Sequence, residues 1–124
     1  NILLSLKRRT GMNVHQVSAW VNGKLLYAPD AAHTYSKAFA SDLMSDVLRF
    51  QMENTVLITG LCTIQVLRTA EMSNISCIIF ARGKRVTTDM LALAEENRIA
   101  VIESGLTLYE ISGKLYRGGL QPVY

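Results

Sequence analysis

Over the second half of the chain, short apolar runs alternate with stretches of helical period. Val56-Leu57-Ile58 leads through Thr59-Gly60 to a segment whose apolar residues, Ile64, Leu67 and Ala70, fall at helical spacing behind a capping Thr63. The order recurs in a strand over 76–80, a loop Ala81-Arg82-Gly83-Lys84, and a helix capped by Thr87 or Thr88 with Leu91 and Ala94 inward. It recurs again in a strand over 100–102, a loop Glu103-Ser104-Gly105-Leu106, and a helix capped by Thr107. Glu110 stands three residues after Thr107, the pattern of a capping box, and Leu108, Ile111 and Leu115 supply the apolar face before Gly118-Gly119 stops it. Continuous apolar strands between amphipathic helices predict an α/β fold with a mainly parallel sheet, flanking helices and right-handed crossovers.

The first half reads differently. Residues 2–10 place Ile2, Leu3 and Leu6 opposite Lys7, Arg8 and Arg9, which predicts a short helix ended by Gly11. Val17-Ser18-Ala19-Trp20-Val21 alternates into Asn22-Gly23, and Lys24-Leu25-Leu26-Tyr27-Ala28 follows. Asn-Gly between two β-compatible runs is a strong hairpin signal, so an N-terminal β-hairpin is expected before the wound sheet. Residues 35–40 predict a further strand. Ser41 then caps a helix running to about Met52, with Leu43, Met44, Val47 and Leu48 apolar and Asp42 in its first turn. One domain is expected over 1–124, with the helix and hairpin in 1–34 and the wound α/β part in 35–120.

Composition narrows the class. The 124 residues can bury one core without staples. Apolar residues make up 49%, yet their runs are far shorter than the roughly eighteen of a membrane span. The opening apolar stretch precedes its basic residues, the reverse of a signal peptide, and no initiating Met is present, so the natural N-terminus is expected upstream. A soluble, cytoplasmic protein is expected. Net charge is +3, spread out except for Lys7-Arg8-Arg9 and Arg82-Gly83-Lys84-Arg85, which fits a solvated surface better than a nucleic-acid stripe. Cys62 and Cys77 form no CxxC or Cys/His cluster, so reduced thiols are expected, with no metal site and no cofactor.

In open α/β sheets, ligands sit beyond the carboxyl ends of the strands, near helix N-termini. Here that edge supplies Gly60, Cys62, Thr63, Arg82, Gly83, Ser104, Gly105 and Thr107 as the candidate binding set for a small anionic or nucleotide-like ligand. None of these loops spells GxxxxGK[ST] or GxGxxG, and Gly and Thr are also what turns and caps require. No catalytic constellation stands out. Asp42 and Asp46, four apart on the expected helix, lack a third ligand and read as a solvated face. His15 and His33 read as surface residues in loops. Cys62 at a helix N-terminus is where a thiol pKa can fall, but no His or Asp partner is implied. Trp20 and Tyr27 flank the expected hairpin turn and would face the core or a partner chain.

From Lys37 onward the residues resemble the DRTGG domain. The resemblance rests on Ala40-Ser41-Asp42-Leu43-Met44-Ser45-Asp46-Val47-Leu48, on Val56-Leu57-Ile58-Thr59-Gly60, and on Ile78-Ile79-Phe80-Ala81-Arg82-Gly83. It continues through 91–102 and Thr107-Leu108-Tyr109-Glu110, covering about two-thirds of the chain as pattern. Family members often carry an Asp-Arg pair just after the central glycine, where this chain has Leu61-Cys62. The family is similar in fold to the N-terminal domain of HPr kinase/phosphorylase and occurs beside regulatory CBS domains in some pyrophosphatases. The resemblance implies a non-catalytic regulatory or dimerising module, a homodimer, with a further domain or protein partner. Two alternatives stay open: a small enzyme acting on a phosphorylated metabolite through Cys62, Glu103 or Lys84, and a transcription-associated protein binding DNA through Arg82, Lys84 and Arg85.

Overall fold

The computed structural model describes residues 11–124, so the helix expected over 2–10 lies outside them. Three strands form the middle of the sheet: β5 (Thr55–Thr59), β6 (Cys77–Phe80) and β7 (Ala100–Ser104). They are parallel, with Leu57 opposite Ile78 and Ile78 opposite Val101. Strand β4 (Lys37–Ala40) continues the parallel set beyond β5, and β8 (Gln121–Pro122) follows beyond β4. The other edge is β2 (Gly23–Tyr27), antiparallel to β7, so the six-stranded order is β2-β7-β6-β5-β4-β8.

Side chains alternate along each strand, so the apolar runs feed two cores. Val56, Ile58, Cys77, Ile79, Ala100 and Ile102 face α1 (Val14–Trp20) and α5 (Leu108–Arg117), which contribute Val14, Val17, Ile111 and Leu115. Leu57, Ile78, Phe80 and Val101 face α2 (Met44–Val47), α3 (Ile64–Met72) and α4 (Thr88–Glu96), which contribute Met44, Val47, Val66, Leu67, Ala70, Met90 and Ala94. Helices on both faces explain why the strand sequences are apolar throughout and not alternating. The α/β class, the mainly parallel sheet and the three strand–loop–helix units are therefore as expected.

The N-terminal part departs from expectation in its details. An antiparallel strand pair is present, but it joins β1 (Met12–Asn13) to β3 (Thr34–Tyr35). The first arm of the expected hairpin is helical instead. Asn13 caps α1 by accepting from the Gln16 N–H at 2.9 Å, and the Gln16 side chain accepts from the Asn13 N–H at 2.9 Å. This two-way capping box fixes the start of the helix, and Val14, Val17 and Val21 then share the buried side. Asn22, at φ 51, turns the chain out of the helix and into β2, whose partner is β7 and not residues 17–21. His15 accordingly lies in a helix and not in a loop.

Two further boundaries shift. The stretch 35–40 is divided, Tyr35 belonging to β3 and residues 37–40 to β4. The helix expected from Ser41 to Met52 is reduced to Met44–Val47, because Ser41 Oγ accepts from the Leu43 N–H at 3.0 Å and holds a turn there, while Asp42 is drawn toward β5. Asp42 and Asp46 therefore do not share a helix. At α5, Thr107 Oγ1 accepts from the Glu110 N–H at 3.2 Å, which is the forward half of the capping box predicted there.

Two outcomes are expected for stability. Ile79 is fully buried between β5 and β7, so Ile79→Ala should cost about 2–5 kcal/mol, read from the urea midpoint. Burial pushes the Tyr35 hydroxyl from 10.0 to about 12 and the Cys77 thiol from 9.0 to about 12. Both groups ionise more easily when unfolded, so their contribution is intact below pH 9 and is lost as the pH rises toward 12. The melting temperature should therefore fall through that alkaline window. Tyr35→Phe with Cys77→Ala should flatten the decline.

Candidate functional site

The carboxyl ends of β4, β5, β6 and β7 meet along one rim, and a web of short hydrogen bonds ties their loops together. Asp42 Oδ1, just past β4, accepts from the Gly60 N–H at 2.6 Å and from the Thr59 hydroxyl at 3.1 Å. Thr59 Oγ1 in turn accepts from the Leu61 N–H at 3.1 Å, so the turn after β5 is held by a relay of side chains. From the other side, Arg82 Nη2 donates to the Gly60 carbonyl at 3.3 Å. A Cβ built on Gly60 would lie 2.6–2.8 Å from that guanidinium, so the contact needs glycine there. A carboxylate and a guanidinium from two neighbouring loops thus converge on Gly60.

The next loop is bent by two consecutive left-handed residues, Arg82 at φ 64 and Gly83 at φ 72. For a non-glycine residue this conformation costs on the order of 1 kcal/mol. It is held by Arg82 N–H donating to the Leu106 carbonyl at 2.8 Å and Gly83 N–H donating to the Ser104 carbonyl at 3.0 Å. The buried Ser104 hydroxyl donates to the Val21 carbonyl at 2.7 Å and accepts from the Leu106 N–H at 3.2 Å. Through Ser104, the end of α1 is fastened to the end of β7.

These ties leave a polar cleft of about 320 Å³, lined by Asn22, Gly23, Lys24, Gly83, Lys84, Arg85, Glu103, Ser104 and Gly105. Three cationic side chains face one carboxylate, and Glu103 Oε2 is already engaged, accepting from the Val86 N–H at 2.7 Å. Of the residues proposed from sequence, Gly83, Ser104 and Gly105 line this cleft, while Gly60 and Arg82 hold each other beside it. Thr63 caps α3 without a side-chain hydrogen bond. Thr107 lines a different depression, on the outer face of α5. Asn22, Gly23 and Lys24 were hidden in sequence by the hairpin reading, which spent them on a turn. Asp42 was hidden by its assignment to a helix.

Cys62 behaves otherwise than its position suggested. Its Sγ lies 3.3 Å from the Arg85 carbonyl, to which the thiol donates. Burial raises its pKa above 9.0, the Glu103 carboxylate raises it further, and Lys84 only partly opposes them. The thiol is thus held protonated at neutral pH and is a poor nucleophile. Among the described residues, no cluster of three His, Cys, Asp or Glu could hold a metal ion. Among them, too, no helix is long and apolar enough to cross a membrane.

The thiol makes the electrostatics measurable. Iodoacetamide should modify Cys62 with a midpoint pH above that of a free thiol. Glu103→Gln should lower the midpoint and Lys84→Ala should raise it, followed by mass spectrometry across pH. Cys77, fully buried, should react only on unfolding.

No protein-family model matches the chain, and no curated protein matches it. Among solved structures, it is similar to the CBS and DRTGG domains of the regulatory region of Clostridium perfringens pyrophosphatase, in a structure complexed with the activator diadenosine tetraphosphate. The TM-score is 0.75 at 14% sequence identity, over 94% of this chain and 50% of the other. The chain thus spans about half of that neighbour's length, and the shared architecture supports a DRTGG-like α/β fold.

Proposed function

We propose that the chain is a non-catalytic regulatory module that senses a small anionic or nucleotide-like ligand at the carboxyl edge of its parallel strands. The observation that carries this reading is the cleft at 22–24, 83–85 and 103–105, where Lys24, Lys84 and Arg85 surround a single, already bonded carboxylate. Cations clustered in a concave polar site favour phosphate or carboxylate groups. The similar fold in the pyrophosphatase region, which was crystallised with a dinucleotide activator, supports the same class of ligand. The groups at the rim favour binding over chemistry. The Cys62 thiol is kept protonated, and Glu103 and Asp42 each hold a backbone N–H with one carboxylate oxygen.

The test is a thermal-shift screen with ATP, ADP, GTP, diadenosine tetraphosphate and inorganic pyrophosphate. A binder at a hundred times its dissociation constant should stabilise the chain by about 2.7 kcal/mol. Lys84→Ala combined with Arg85→Ala should abolish the shift. These side chains are exposed, so the variant should fold normally. A blank screen, or a shift undiminished in the double variant, would refute the assignment of this cleft.

A further inference from the structure

At the other edge of the sheet from the cleft, the amino ends of β6 and β7 border a second cavity, of about 240 Å³. Because β2 runs antiparallel to β7, its carboxyl end delivers Pro29 and Asp30 beside Ala100. The β1–β3 pair sets Tyr35 against Ser76, and His33 and Arg98 complete the polar lining. Tyr35 is only 3% exposed. Its hydroxyl lies 3.1 Å from Ser76 Oγ and 3.3 Å from the Ser76 carbonyl, and His33 stands edge-on to its ring at 4.9 Å. With the tyrosine proton given to Ser76 Oγ, the serine proton is left for a guest.

Arg98 is an unusual choice for its place in the backbone. The chain leaves α1, α3, α4 and α5 through a left-handed residue just past each cap, and these are Asn22, Asn74, Arg98 and Gly119. Asn and Gly take that conformation with least strain, whereas arginine brings strain and a guanidinium. Arg98 Nη2 donates to the Pro29 carbonyl at 3.2 Å, and its other guanidinium N–H groups engage no other described residue. Asp30 carries the opposite charge and is likewise held by backbone, its Oδ1 accepting from the Ala32 N–H at 3.3 Å. The cavity thus presents a cation and an anion, each tied to main chain and not to the other. A phosphate would meet the Asp30 carboxylate, and an amine alone would meet Arg98. A guest carrying both charges suits both walls, its carboxylate on the guanidinium and its ammonium on Asp30. The volume is below the roughly 300–1,000 Å³ of a site for a drug-sized ligand, which suits a single amino acid and not a nucleotide.

We propose that this cavity binds a free α-amino acid with a small side chain, its ends read by Arg98 and Asp30. The site lies at the opposite edge of the sheet from the anion cleft and does not depend on it. Isothermal titration of the whole chain with glycine, L-alanine, L-serine and L-aspartate should give saturable binding by at least one of them. L-Lactate, which replaces the ammonium of L-alanine with a hydroxyl, should bind about tenfold more weakly than L-alanine. Arg98→Asn should weaken the amino acid by about tenfold or more. It should not lower the melting temperature of the free chain, because asparagine serves the same turn after α1 and α3. Asp30→Asn should erase the preference for L-alanine over L-lactate, which a merely structural effect would not do. No binding by any of the four overturns the proposal, and so does binding indifferent to Arg98→Asn. Inorganic phosphate bound in their place, and lost in Arg98→Asn, would make this an anion site and overturn the amino-acid assignment.

Discussion

The structure depends on β6 being enclosed on every side. It is paired with β5 and β7 along its edges, and Cys77, Ile78, Ile79 and Phe80 are all fully buried. A strand without a solvent face needs a helical layer above and another below. The right-handed β5-α3-β6-α4-β7 path puts its helices on one face only. The other face is left to α1 and α5, which come from opposite ends of the described chain. Burying one strand completely thus decides where the outermost helices go. It also decides that α1 ends beside β7, where Ser104 reaches back to the Val21 carbonyl.

The rim follows from the same geometry. Parallel strands deliver their carboxyl ends to one side, so four loops with different sequences meet there and must satisfy one another's backbone groups. Asp42 and Arg82 do so by taking the N–H and the carbonyl of Gly60. Arg82 and Gly83 do so by accepting left-handed backbone so that their N–H groups reach the β7 loop. Side chains engaged in this way belong to the scaffold. Lys24, Lys84 and Arg85, exposed above it, are the ones left to meet solvent or a ligand.

How much of this can be read in the sequence depends on how far each signal reaches. The wound units were legible because each carries its evidence locally, as at Val56-Leu57-Ile58 or at Thr107, whose hydroxyl caps α5. Residues 17–21 were not, because five residues fit both periods, and the arbiter is a capping pair at Asn13 and Gln16, upstream of the alternation. Asn22-Gly23 then supplied a turn for the wrong partner. Asp42 resisted for a different reason. A carboxylate after Ser41 suits a helix start, and nothing within its own segment reveals that Gly60 lies 2.6 Å away. Three of the eight candidate residues line the cleft because the rule about strand ends is topological, whereas Lys24 enters through an antiparallel edge strand that the rule does not cover.

That edge strand ties recognition to the order in which the chain closes. β5, β6 and β7 pair in sequence order through short crossovers, but β2 finds β7 only across most of the chain, as β8 finds β4. Pairings so remote in sequence carry the largest loop-closure entropy, which must be met before their contacts form. β2 carries Gly23 and Lys24 into the cleft. A molecule gripping both Lys24 and Arg85 would therefore fasten the seam at which the sheet is closed, turning occupancy of a small surface site into rigidity of the whole edge.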